Sequence, residues 1–140
     1  MVGENYQGQV TDCYAAGAVS GGWYVGGLLG QNGAVTDAGQ FAIVTRCYST
    51  GLVTGTGYSI GGLVGGNLTA VGGSFWNTQT SGQATSAGGT GKTTAQMQTA
   101  GTFLNAGWDF VGETAHGTED IWRILEGRDY PRLSWQTPDE

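Results

Sequence analysis

The sequence predicts a mainly β protein: a parallel β-solenoid of about three coils, followed by a C-terminal cap with one short helix and a few strands. Three observations predict it. First, Asn5, Asn32 and Asn67 each end a Gly-x-Asn triplet, and Cys13-Tyr14, Cys47-Tyr48 and Phe75-Trp76 follow them after 8, 15 and 8 residues. The repeat unit is 27 residues, with 8 extra in the second copy, seven after Asn32 and one near Ser59. A period in this range marks an array or solenoid. Second, residues 13–32 and 47–67 align with one gap and are identical at 11 of 20 positions. Third, the chain holds 28 glycines in 140 residues. That is too many for a helical repeat, because each costs about 1 kcal/mol inside a helix, and they lack the every-third spacing of collagen.

Residues 2–5 match residues 29–32, so the chain opens in mid-unit and is expected to be the C-terminal piece of a longer array. Short runs rich in Val, Leu, Ile, Thr and Tyr lie between glycines at residues 17–21, 25–29 and 60–64 and read as short strands joined by tight turns. In stacked coils, equivalent side chains sit above one another. Val19 is then expected over Val53, Leu28 over Leu63 and Leu29 over Val64, as core ladders. Asn5, Asn32 and Asn67 are expected to form an amide ladder at a corner, since Asn tolerates left-handed backbone and stacked amides bond one another. Cys13, Cys47 and Phe75 are assigned to one further column. Its Phe argues for a buried apolar position, where free Cys behaves as a small hydrophobe. In-register coils also bring two Cys close enough for a disulfide, so stacked free thiols and a disulfide both stay open. A zinc site needs more ligands than two Cys.

The third copy fades after residue 82. Residues 86–93, Ser-Ala-Gly-Gly-Thr-Gly-Lys-Thr, come within one residue of a phosphate-binding loop. Such a loop must follow a buried strand and open a long helix, whereas a polar stretch precedes this one, so it reads as a solvated linker. Thr93 and Gln96 make a capping-box pattern ahead of Met97, Ala100, Phe103 and Leu104 at helical spacing, which predicts a helix over 94–105. Residues 108–110, 121–124 and 132–135 read as strands. Residues 1–90 are therefore the repeat region. Residues 91–140 are its cap, packed on it as one domain and covering an end that otherwise exposes apolar core and strand edges. The first coil has no such cover, which makes head-to-tail self-association through it an expectation.

Charge is scarce in the repeats. Residues 1–91 carry only Glu4, Asp12, Asp37 and Arg46, and eight of the eleven acids lie from Asp109 onward. The net charge of −6 argues against a nucleic-acid partner, which requires clustered Lys and Arg. No stretch approaches the roughly 20 apolar residues of a membrane span, so membrane insertion is not expected. The Thr, Ser, Gln, Asn and Tyr surface suits contact with proteins or neutral glycans.

The Gly-Gly-Leu-[Leu/Val]-Gly-x-Asn segment at 26–32 and 61–67, together with Cys-Tyr-x-x-Gly-x-Val at 13–19 and 47–53, resembles the GLUG motif. That repeat occurs in large bacterial surface and secreted proteins, including filamentous haemagglutinin-like adhesins and immunoglobulin A1-cleaving metallopeptidases. The resemblance covers residues 2 to about 82 and implies an extracellular or cell-surface bacterial protein. In those peptidases the zinc site lies in a separate domain, and this chain has no His-Glu-x-x-His, so peptidase activity is not implied here.

No catalytic residue, cofactor or metal ligand set is assigned. His116 is the only histidine and sits in a polar loop. Glu119 and Asp120 are adjacent and face opposite ways on a strand. Glu113 and Glu119 have nothing that requires them to converge as a hydrolytic pair does. Aromatics are the better handle. Tyr14, Tyr48 and Trp76 read as ladders that brace the coils. Trp23, Tyr24 and Tyr58 read as contact residues, Trp23 foremost because Gly57 replaces it in the next coil. The expected function is a non-catalytic extracellular repeat module for adhesion or cell-surface structure. Its alternatives are a head-to-tail filament subunit and a carbohydrate-binding appendage of a secreted enzyme.

Overall fold

The computed structural model describes residues 1–33 and 42–136. The seven-residue insertion expected after Asn32 falls within 34–41, outside the described residues. The chain divides into two compact units, Met1–Thr93 and Thr94–Glu140.

The first unit is a parallel β-solenoid. Its first rung carries β1 (Val2–Asn5), β2 (Gln9–Thr11), β3 (Tyr14–Ala15) and β4 (Val19–Gly21). The second carries β5 (Val25–Gly26), β6 (Leu29–Asn32), β7 (Ile43–Thr45), β8 (Tyr48–Ser49) and β9 (Val53–Gly55). The third carries β10 (Ile60–Gly61), β11 (Val64–Asn67), β12 (Ala70–Gly72) and β13 (Phe75–Asn77). It continues into a short helix α1 (Thr78–Ser81) and a strand β14 (Thr90–Lys92). Equivalent strands stack into parallel sheets ordered β1-β6-β11, β5-β10, β2-β7-β12, β3-β8-β13-β14 and β4-β9. Val2 pairs with Leu29, Asn5 with Asn32, Leu29 with Val64, Asn32 with Asn67 and Val19 with Val53. Leu28 and Leu63 meet in the same column, the Leu28 N–H donating to the Leu63 carbonyl at 3.0 Å. Leu28, Leu29, Val44, Cys47, Leu63, Val64 and Trp76 form the buried core of the stack.

Two glycines show why the Gly-Gly-Leu sequence recurs. A Cβ on Gly61 would lie 2.0 Å from the Val64 carbonyl oxygen, and one on Gly62 would lie 2.0 Å from the Trp76 ring. Both sites require bare backbone, so that the chain turns sharply and the indole lies flat against it.

One column departs from expectation. Tyr14 pairs with Tyr48 and Tyr48 with Phe75, so Phe75 continues the tyrosine column and Ser74 takes the cysteine place. The shift arises in the turn after the Asn ladder. Residues 6–8 connect β1 to β2, but only 68–69 connect β11 to β12. Equal spacing along the sequence therefore lands one residue late in the third coil. The column is also not simply apolar. The Cys13 thiol donates to Thr11 O at 3.1 Å, the Cys47 thiol to Thr45 O at 3.3 Å and the Ser74 hydroxyl to Gly72 O at 2.9 Å. Each bond spans a corner residue with left-handed φ, namely Asp12 at 52°, Arg46 at 51° and Gly73 at 53°. The column supplies a small side chain that carries a hydrogen-bond donor, which fastens a strained corner. Cys13 and Cys47 are free thiols.

A second shift concerns the other extra residue. Thr56 and Gly57 N–H donate to Gly21 and Gly22 carbonyls, while Tyr24 and Val25 N–H donate to Tyr58 and Ser59 carbonyls. Tyr24 therefore lies over Ser59, both left-handed at 52° and 61°. Tyr58 is the added residue.

Residues 86–93 are not a solvated linker. β14 pairs with β13 in parallel, Phe75 with Thr90 and Asn77 with Lys92, so the strand belongs to the first unit. The first compact unit runs to Thr93.

The second unit begins with α2 (Thr94–Met97) and α3 (Ala100–Leu104), where the sequence predicts one helix over 94–105. The break falls at Thr99, whose φ and ψ of −117° and 122° are extended. Glu126 then serves the start of α3, its Oε1 accepting from the Ala100 N–H at 2.7 Å. Two strands follow, β15 (Trp122–Arg123) and β16 (Arg132–Leu133), paired antiparallel. Residues 108–110 contribute only an isolated bridge from Phe110 to Trp122. Met97, Phe103, Trp108, Phe110 and Trp122 are buried. Ring centroids lie 4.8 Å apart for Phe103–Trp108 and 4.6 Å for Trp108–Trp122. Trp135, expected in the last strand, is exposed.

Candidate contact surface

The Asn column is a continuous amide ladder. Asn5 Nδ2 donates to Asn32 Oδ1 at 2.9 Å, and Asn32 Nδ2 donates to Asn67 Oδ1 at 3.0 Å. Asn32 Nδ2 also donates to Thr69 Oγ1 and the Ala70 carbonyl. Asn5 and Asn32 are buried and their groups are committed inside the stack, so this column is structural. The tyrosine column braces the neighbouring sheet, with Tyr14 and Tyr48 rings stacked 5.1 Å apart at 11°. The Lys92 ammonium stands 5.9 Å from the Phe75 ring centroid at its far end, a cation–π contact. Trp76 is buried, and its indole N–H donates to the Gln83 carbonyl at 2.9 Å.

One pairing escaped the sequence reading. Arg46 Nε and Nη2 donate to Asp12 Oδ1 and Oδ2 at 2.9 and 3.1 Å. The signal was present, since each residue immediately precedes the repeat cysteine. The pair is bidentate and only partly exposed, and contributes about 1 kcal/mol.

The outward surface centres on the corner between β4 and β5 and its counterpart between β9 and β10. Trp23 is 65% exposed, Tyr58 73% and Tyr24 49%. Trp23 meets Tyr58 edge to face, centroids 5.2 Å apart at 73°. The Trp23 ring spreads over Gly57, where a Cβ would come within 3.2 Å of it, and the Tyr24 ring lies over Gly66, where a Cβ would come within 2.9 Å. The glycines of one rung thus seat the aromatics of its neighbour, and three rings point to solvent from one corner. Such a group offers apolar faces and phenolic hydroxyls side by side, which suits stacking on a sugar or gripping a protein surface.

The titratable groups have other employment. Burial pushes the Cys47 thiol up to about 12, which keeps it protonated as the corner donor. In the second unit, burial alone raises Glu113. The Phe110 N–H, the His116 ring and the N–H groups of His116 and Ala115 outweigh that and hold it below its ordinary 4.5. Glu113 Oε2 accepts from the Ala115 N–H at 2.8 Å and lies 3.1 Å from His116 Nδ1. This carboxylate is the brace of the loop between Phe110 and His116. Glu119 N–H donates to Asp109 Oδ2 at 2.9 Å, so Glu119 is tied to a different carboxylate by its backbone. The Ser86 hydroxyl accepts from Leu63 and Val64 N–H at 3.2 and 2.9 Å, and α2 beyond Thr93 spans four residues. The phosphate-loop pattern thus lies along the stack rather than opening a long helix. Among the described residues, no three His, Cys, Asp or Glu side chains group as a metal site. No described helix is long and apolar enough to cross a membrane.

The chain is similar to a protein of Evansella cellulosilytica named "Putative Gly-rich membrane protein". The two are 35% identical over 151 aligned positions, covering 97% of this chain. The chain spans 16% of that relative's length. No family profile matches the chain, and no solved structure matches it.

Proposed function

We propose that this chain is a non-catalytic repeat module of the GLUG kind, working at the bacterial cell surface or outside the cell in adhesion or surface architecture. The observation that carries the reading is the column-by-column stacking of like residues, Asn on Asn over three rungs and Tyr on Tyr over two. A stack of this kind spends its polar groups on holding itself together and presents length and surface, which is what a spacer or adhesive module supplies. The relative supports it: a glycine-rich protein named for the membrane and about six times as long, from its 16% coverage, is a suitable setting for such a segment.

The exposed Trp23–Tyr58 pair favours a second reading, a carbohydrate-binding appendage. Glycan-array and whole-cell binding by the chain, compared with Trp23→Ala and Tyr58→Ala, separates the two. Glycan binding lost in either variant selects the appendage. Cell or protein binding that survives both selects a module whose contacts lie elsewhere. Absence of any cell, protein or glycan binding leaves only the spacer role, and appearance of a hydrolytic activity overturns the proposal. The head-to-tail filament finds less support, because residues 80–92 already bond to one edge of the stack.

A further inference from the structure

The two ends of the solenoid are chemically unlike. On the trailing side, residues 80–90 bond over much of the edge, although β10, β11 and β12 are also outer strands of their sheets. Ala87 N–H donates to the Val64 carbonyl, Gly62 N–H to Thr85 and Thr90 N–H to Ser74, each at 2.9–3.0 Å. Where α1 replaces a third-rung strand above β9, Thr80 and Gln83 side chains donate to the Thr50 and Val53 carbonyls. On the leading side, β1, β2, β3 and β4 each occupy the outer place of their sheet and, among the described residues, pair as strands only with the second rung.

The side chains report the same asymmetry. Val2, Val10, Ala15 and Val19 are partly exposed, while their second-rung partners Leu29, Val44, Ser49 and Val53 are at most 1% exposed. Asn32 Oδ1 accepts an amide from the preceding coil, that of Asn5. Asn5 Oδ1 instead takes the Gly8 N–H of its own coil at 3.0 Å, and a carbonyl oxygen has a second lone pair.

We propose that the leading edge is a docking template for one more coil of the same 27-residue repeat, laid parallel on β1 to β4 and keyed by an Asn whose amide donates to Asn5. Continuity with the existing interface carries the argument, since the first rung offers what the second rung offers it: strand edges, an apolar row and an amide acceptor. A second copy of this chain is a poorer occupant. Stacked head to tail, it would have to displace residues 80–92 from its own trailing edge. Stacked head to head, its strands would run antiparallel and the Asn ladder would lose register. The inference does not depend on what the aromatic corner binds.

The test is a full-length chain with residues 2–28 duplicated directly before Val2, which adds one unit and keeps register. Hydrogen exchange at the amides of β1 to β4 that face away from the second rung should slow by about tenfold or more relative to the parent, with light scattering reporting a monomer. Changing the added copy's own Asn, the duplicate of Asn5, to Asp should return part of that protection. Equal exchange with and without the added unit overturns the proposal. So does protection of these amides in the parent that rises with concentration alongside a dimeric mass, which would make a second copy the occupant. Undiminished protection in the Asp version removes the amide key.

Discussion

Asn32 is fully buried, and its amide serves three acceptors while its carbonyl oxygen receives the Asn5 amide. Truncating it strands donors and acceptors on both sides, so Asn32→Ala should destabilise the solenoid by about 3 kcal/mol, read by urea unfolding. The corner column makes a different prediction. Cys47 holds its proton up to about 12 against an ordinary 9.0, with burial the largest cause. A group whose folded value is raised contributes stability that is fully present below 9.0 and lost as pH climbs toward 12. Native Cys47 should therefore resist alkylation at pH 8 and react once the chain is unfolded. Cys47→Ser keeps the donor to Thr45 O, as Ser74 does one rung on, so it should fold and should lose this part of the alkaline decline. Stability curves of both forms between pH 8 and 11 check it. That this position wants a donor was not legible from the repeat, because Phe75 seemed to share it. Only the one-residue-shorter turn at 68–69 reveals Ser74 as the true counterpart.

At the scale of elements, the strands of the first two coils were readable because nearest-neighbour stacking makes sequence repeat equal structural repeat. β1, β6 and β11 pair as the Gly-x-Asn triplets suggest. What was not readable depends on contacts from far along the chain. β14 is Thr-Gly-Lys, in which only Thr90 favours a strand, and it forms because β13 offers it an edge. The break between α2 and α3 is served by Glu126, 26 residues downstream. The exposed aromatic corner was legible in its members but not in its pairing, since Tyr58 is an added residue. α1 is short enough to depend on its cap. Asn77 Oδ1 accepts from Gln79 and Thr80 N–H at 2.9 and 3.1 Å. Asn77→Ala should cost about 1 kcal/mol or more in urea unfolding, with faster exchange in residues 79–83.

The whole molecule holds two compact units, each with its own buried side chains. Trp108 and Trp122 report on the second unit and Cys47 on the first. Unfolding should therefore not be a single event. Tryptophan fluorescence, which also carries Trp23 and Trp76 of the first unit, is expected to change in two steps through one urea titration, only one of them coincident with Cys47 accessibility. Coincident curves would mean one cooperative system. Within the first unit, the links from the Asn ladder to the next strand run through residues 6–8, 33–42 and 68–69, which are three, ten and two residues long. The flanking strands nevertheless pair in register on every rung. The joint after Asn32 is thus a natural grafting point. Foreign peptides of varied length spliced there should leave the pairing of β6 and β7 with their neighbours intact, offering a place for new recognition to be acquired without redesigning what supports it.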